Sequence, residues 1–253
     1  MDPGHMRPLW EIPRVKLVIR RYDPDYLAQS EVYDGAAGAY RQFKRIEPWL
    51  RERPWLASPG VWFEHHNEPS NFGALSTPER RVALANYGAA LTGILWQELG
   101  IRSVAGNLGV GHPEPEHAVQ VCAAPMAELL KTGGLYSFHG YGWPLVLSDW
   151  IWYTLRYLLI TEELKQQGAR EIPRLILGEV GIDKLIIGEI GGWQVVNNDP
   201  RWYAVQLEAL SRLLVPLVRA AFVFTATPYH PWETYKFTEA LAWEIAKRWE
   251  CSA

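Results

Sequence analysis

Val61-Trp62-Phe63-Glu64-His65-His66-Asn67-Glu68-Pro69 is an apolar stretch that runs into a carboxylate and a proline. Its β-branched and aromatic opening reads as a strand over residues 61–66. About 110 residues later the pattern returns as Leu175-Ile176-Leu177-Gly178-Glu179, again an apolar run ending in a glutamate. Further short apolar runs lie at 15–20, 103–108, 135–139, 174–177 and 220–225, and successive starts are roughly 30 to 50 residues apart. Longer amphipathic segments separate them. A helix is expected over 36–51, preceded by a loop from residue 25. Another is expected over 77–99, where Thr77 can cap, Pro78 suits the first helical position and Gly100 stops the helix. Others are expected over 116–132, 148–167, 200–217 and 234–250. Alternating strands and helices at this rhythm predict an α/β fold with a parallel sheet.

The bulk properties narrow the classes. The chain has 253 residues, 48% of them hydrophobic, enough for one large core. Its 25 basic and 28 acidic residues leave a net charge of -3, so no basic field argues for nucleic acid. No apolar run reaches the roughly 18 residues a membrane span needs. The stretch 211–226 is broken by Arg212, Pro216 and Arg219. Cys122 and Cys251 are too few for a disulfide framework or a cysteine-based zinc site. Met1–Met6 (MDPGHM) reads as a cloning scar, and residues 7–253 as a single domain. Localisation stays open, secretion included. Thirteen Trp and twelve Tyr are many for this length. Most are expected in the core, with a few lining a groove where flat rings stack on sugar faces.

Two glutamates at the ends of different strands can flank a glycosidic bond, one as proton donor and one as nucleophile. Phe63-Glu64-His65-His66-Asn67-Glu68-Pro69 resembles the strand-four motif of clan A glycoside hydrolases, retaining enzymes on a (β/α)8 TIM-type barrel. Leu175 to Gly181 resembles the same clan's strand seven, where an apolar run ends in the nucleophilic glutamate. The resemblance implies Glu68 as general acid/base, Asn67 on the sugar 2-hydroxyl and Glu179 as nucleophile. It also implies hydrolysis of a β-glycosidic bond in an oligo- or polysaccharide, without a cofactor. The retaining mechanism sets the two carboxyl groups about 5–5.5 Å apart. A rival nucleophile, Glu189 in Leu185-Ile186-Ile187-Gly188-Glu189, is expected on a loop extension.

Supporting residues follow from the same resemblance. His139 or Tyr141, in Ser137-Phe138-His139-Gly140-Tyr141, would contact the nucleophile, with His139 preferred. Trp232 would floor the reacting sugar. Asn107 and Arg21, or its neighbour Tyr22, would face the cleft. Glu64 would lie inside the barrel, where an ionised carboxylate needs a cation such as Arg20.

Other chemistries fit less well. Glu64, His65 and His66 are adjacent but lack an H-E-x-x-H spacing, and no Pro-Cys-x-x-Cys follows His66-x-Glu68, so no metal is expected. The glycines of 106–111 lead into His112-Pro113, not into a helix, and no G-x-S-x-G occurs.

Six strands are legible where a closed barrel has eight. They match strands three to eight, with the first two absent, or compressed into residues 8–13. An unpaired strand edge invites another chain. The expected molecule is therefore an incomplete barrel, or a homo-oligomer that completes its edge, and a catalytically impaired sugar-binding or scaffold module is the competing class. Light scattering that finds monomer alone would exclude completion by a partner copy.

Overall fold

The computed structural model describes residues 16–21, 23–224 and 232–250. The fold is α/β, with six strands: β1 (Leu17–Arg20), β2 (Val61–Glu64), β3 (Ser103–Leu108), β4 (Leu135–Gly142), β5 (Leu175–Ile182) and β6 (Val218–Val223). They form one parallel sheet in sequential order, β1 to β6. The register of β1 on β2 sets Leu17 beside Val61 and Arg20 beside Glu64. Phe63 lies beside Ser103 of β3. The chain divides into two compact units, residues 1–137 with 160–175, and 138–159 with 176–253. The cloning scar, the compressed-strand segment 8–13, Val15, Tyr22 and residues 225–231 lie outside the described residues. No helix among the described residues is long and apolar enough to cross a membrane.

In the first unit, α1 (Asp25–Tyr33), α2 (Ala36–Arg51), α3 (Pro78–Leu99) and α4 (Ala118–Thr132) pack with β1 to β3. Helix α3 starts as its sequence dictates. The Thr77 hydroxyl accepts the Arg80 N–H at 3.3 Å, Pro78 opens the first turn, and Gly100 ends the helix in a left-handed conformation. Its buried Leu84, Leu91 and Leu95 belong to the core, as do Val121, Cys122 and Leu129 of α4, the helix it packs against. Helix α1 falls where a loop was expected. Its inward positions are Ala28, Glu31 and Val32, so a buried carboxylate interrupts the apolar stripe. Gly38 of α2 admits that helix: a Cβ there would stand 1.7 Å from the Glu31 carbonyl oxygen.

Helix α5 (Tyr157–Gln166) begins nine residues later than the expected 148, because residues 148–156 form turns. In the second unit, α6 (Trp193–Val196), α7 (Pro200–Leu213) and α8 (Glu239–Glu250) follow. Helix α7 ends at Leu213, short of the expected 217. Leu214 is already extended, and Pro216 disfavours helix at the residue before it. Strands β4 and β5 run three and five residues past their expected ends at 139 and 177. Their glycines read as strand stops, yet Gly140 and Gly142 are sites of close approach. A Cβ on them would stand 2.6 Å from the Thr154 carbonyl and 2.1 Å from that of Leu145.

His65, just past β2, is 4% exposed. Burial, and then the adjacent His66, push its imidazole from 6.5 down to about 3. Between those values the unfolded chain binds a proton that the folded chain refuses. Stability should therefore fall as pH drops from about 6.5 toward 3, by up to about 1.4 kcal/mol per unit from this group. Urea midpoints measured from pH 7 to 4 should show the decline, and His65→Gln should flatten it. An equally steep decline in the variant would mean that His65 is not its source.

Candidate functional site

The first unit positions Glu68 through a hydrogen-bonded strand end. Glu64, the last residue of β2, is buried, and Arg20 from the neighbouring β1 places Nη1 3.6 Å from its Oε2. This is the cation that a buried carboxylate requires. Arg20 Nη1 also donates to Asn67 Oδ1. Asn67 itself is exposed. His66 is buried, and its Nε2 lies 2.8 Å from Glu31 Oε2 on α1. Arg45 of α2 spans Asp23 at 2.6 Å and Glu31 at 3.0 Å. Burial works against the Arg45 charge, but the bonds to Asp23 and Glu31 outweigh it and raise its pKa. The ring of Tyr87 stacks on His66 at 5.7 Å between centroids.

Glu68 then stands partly exposed in the left-handed region, at φ 41°, and Pro69 opens a 3-10 turn over Pro69–Phe72. A non-glycine residue in this region carries strain on the order of 1–3 kcal/mol. The loop after β3 braces the turn. Gly109 N–H donates to Ser70 Oγ at 2.9 Å, and Asn107 Nδ2 donates to the His66 carbonyl at 3.1 Å. Asn107, expected to face the cleft, is therefore a buried brace, itself at φ 48°. Arg21 is half-buried, and its Nε lies 4.0 Å from Asp23 Oδ1.

The second unit positions Glu179 within β5, three residues before its end at Ile182 and not at the strand end that the sequence suggests. Tyr141 donates its hydroxyl to Glu179 Oε2 at 2.9 Å, and His139 Nδ1 lies 3.6 Å from the same oxygen. Positions 139 and 141 share a face of β4 because side chains alternate along a strand. His139 was the preferred contact, but Tyr141 makes the shorter one, because its longer side chain carries the hydroxyl to the carboxylate. The rival Glu189 follows the 3-10 turn Lys184–Ile187 after β5. Its side chain is 61% exposed and pairs with Lys184.

Trp232 joins an aromatic row. Its ring centroid is 6.1 Å from that of Phe224, which lies 6.3 Å from Tyr141. Tyr235 packs 5.3 Å from Trp232 and donates to Asp183 Oδ1 just past β5. Burial and Asp183 together raise the Tyr235 phenol well above its ordinary value. Phe224, Tyr235, Glu31, Asp23 and Arg45 all escape motif reading, because each acts through another residue. Only the oddity of a glutamate on the inward face of α1 hints at the Glu31 cluster.

The chain matches no family model, no curated protein and no solved structure.

Tyr141→Phe deletes a donor to a carboxylate and should cost about 1–2 kcal/mol in urea denaturation. Glu189→Gln breaks only an exposed pair and should cost under about 1 kcal/mol. Equal costs would remove the distinction between the two glutamates.

Proposed function

We propose that the chain is a retaining glycoside hydrolase that cleaves a β-glycosidic bond, with Glu179 as nucleophile and Glu68 as general acid/base. The observation that carries this reading is the pair of contacts on Glu179 Oε2, from Tyr141 at 2.9 Å and His139 at 3.6 Å. A carboxylate that attacks carbon must be ionised and must not swing. A phenol O–H and a buried imidazole on one oxygen hold it in place. Further support comes from the Asn67-Glu68-Pro69 motif just past β2 and from a parallel sheet in sequential order, the order of strands three to eight in a (β/α)8 barrel. Such sheets present their catalytic residues at the C-terminal ends of the strands.

Glu179 attacks the anomeric carbon as the glycosidic C–O bond breaks, and Glu68 gives its proton to the departing oxygen. Water then enters. Glu68 takes a proton from it, the water oxygen bonds to the anomeric carbon, and the Glu179 ester bond breaks. The strained turn at Glu68 serves the acid, since a side chain that must both give and take a proton needs a fixed position. Trp232 would supply an apolar face to the sugar at the end of the row from Tyr141.

The competing reading is a sugar-binding module without turnover, and one observation favours it. The Asn67 amide oxygen is already engaged by Arg20, in the residue assigned to the sugar 2-hydroxyl. Aryl β-glycosides of glucose, mannose, xylose and galactose separate the two. The enzyme reading expects turnover of at least one. It expects Glu179→Gln to reduce kcat by about 100-fold or more. It expects Glu68→Gln to harm poor leaving groups far more than nitrophenol, which departs without a proton. Full activity in Glu179→Gln, or no turnover of any glycoside, would refute it.

A further inference from the structure

Two residues beyond Tyr141 the chain enters a loop, Trp143-Pro144-Leu145-Val146-Leu147-Ser148-Asp149-Trp150-Ile151-Trp152-Tyr153-Thr154-Leu155. It is firmly built. Val146, Thr154 and Leu155 are buried, and the Thr154 hydroxyl donates to the Val146 carbonyl. Leu145 N–H donates to Ser148 Oγ at 3.1 Å, and Leu155 N–H to the Trp150 carbonyl at 2.7 Å. The near-absence of Cβ bulk at Gly140 and Gly142 lets the loop fold back against its own strand. Yet Trp150 is 43% exposed and Trp152 51%.

An anchored loop that leaves two indoles in water forgoes favourable burial, which is worth about 25 cal/mol per Å². The backbone adds strain, since Asp149 directly before Trp150 stands in the left-handed region at φ 44°. Trp152 is held from behind: the Arg156 guanidinium carbon lies 4.8 Å from its ring centroid, and Arg156 is only 3% exposed. One face of that indole is therefore fixed against the protein. A rigid, flat, outward ring beside a site for sugar chemistry fits a pyranose face.

Charge selects the ligand further. Asp149 is the one charged residue in residues 143–155, and the second unit places Glu179 within the neighbouring strand and Asp183 just past its end. Besides the buried Arg156, the loop meets Lys184, which lies 5.7 Å from the Trp143 ring centroid and is paired with Glu189, so the surrounding carboxylates would repel an acidic polymer.

We propose that Trp150 and Trp152 form a stacking platform for an extended neutral polysaccharide chain whose sugars offer flat faces. The substrate is then a polymer that continues past the reacting sugar. The inference rests on the carbohydrate reading of the Glu179 site.

Affinity gel electrophoresis tests it with the full chain. Hydroxyethylcellulose and glucomannan are the neutral probes, and polygalacturonate is the acidic one. The neutral polymers should retard the protein and polygalacturonate should not. Trp150→Ala with Trp152→Ala should weaken retardation about tenfold or more. The pair Trp150→Tyr and Trp152→Tyr, which keeps the rings, should retain it within a few-fold and guards against misfolding. A nitrophenyl monoglycoside, which offers one sugar and no chain, is assayed in the same samples. If it is hydrolysed but no neutral polymer retards the chain, the platform is refuted and the enzyme reading survives. If it is not hydrolysed but retardation depends on the indoles, the enzyme reading fails and the platform stands. Equal retardation of the alanine variant, preference for polygalacturonate, or indole-dependent binding to phosphatidylcholine vesicles or to a second copy would each overturn the platform.

Discussion

A carboxylate inside a protein has to be matched by charge and hydrogen bonds, and the first unit is organised around that constraint. Glu31 is 4% exposed, and the Asp23 side chain is equally shielded. Taking each from water costs several kcal/mol after relaxation. Arg45 reaches both, and His66 reaches Glu31. These four side chains come from the segment before α1, from α1, from α2 and from the end of β2. The match therefore determines where those segments lie. Gly38 makes the same demand through the backbone, because α2 can touch the Glu31 carbonyl only where a side chain is missing.

Such a cluster is poor evidence for stability, since well-packed apolar residues of the same volume often do as well. What it supplies is position. His66 lies two residues before Glu68, and its carbonyl is held by Asn107 while its ring is held by Glu31 and Tyr87. A strand end fixed at that many points can sustain a left-handed Glu68 that would relax in a free loop. Strain at one residue persists where the surroundings over-determine it.

Much of this architecture is legible in the sequence, and the failures have physical causes. The six strands are legible because each is a short apolar run bounded by turn residues, and α3 because Thr77, Pro78 and Gly100 mark its ends. Helix α1 is hidden by Glu31, which breaks its apolar stripe for the sake of contacts made by His66 and Arg45. The extension of β4 is hidden because Gly140 and Gly142 serve packing, and that of β5 because Gly181 makes room for the Tyr203 hydroxyl; sequence shows only a glycine. Residues 148–156 have apolar content suited to a helix, but the run Trp150-Ile151-Trp152-Tyr153-Thr154 is rich in β-branched and aromatic residues that lose rotamer freedom there. At the site, motif reading finds the glutamates but cannot choose between His139 and Tyr141. The two share a strand face, and side-chain reach decides which is closer.

Comparing Glu31 with Glu179 shows why one reads as structural and the other as reactive. Both are carboxylates held by a ring-bearing partner. Both oxygens of Glu31 meet the Arg45 guanidinium, one of them also meets His66, and only 6% of the side chain is accessible. Its lone pairs are spent on the Arg45 guanidinium and the His66 ring, and little of it meets water. The contacts described for Glu179 converge on Oε2 and come from a phenol and an imidazole, with 13% of the side chain accessible. A phenol orients a carboxylate without neutralising it. In the proposed reaction a carboxylate held this way would face a carbon that turns cationic in an oxocarbenium-like transition state.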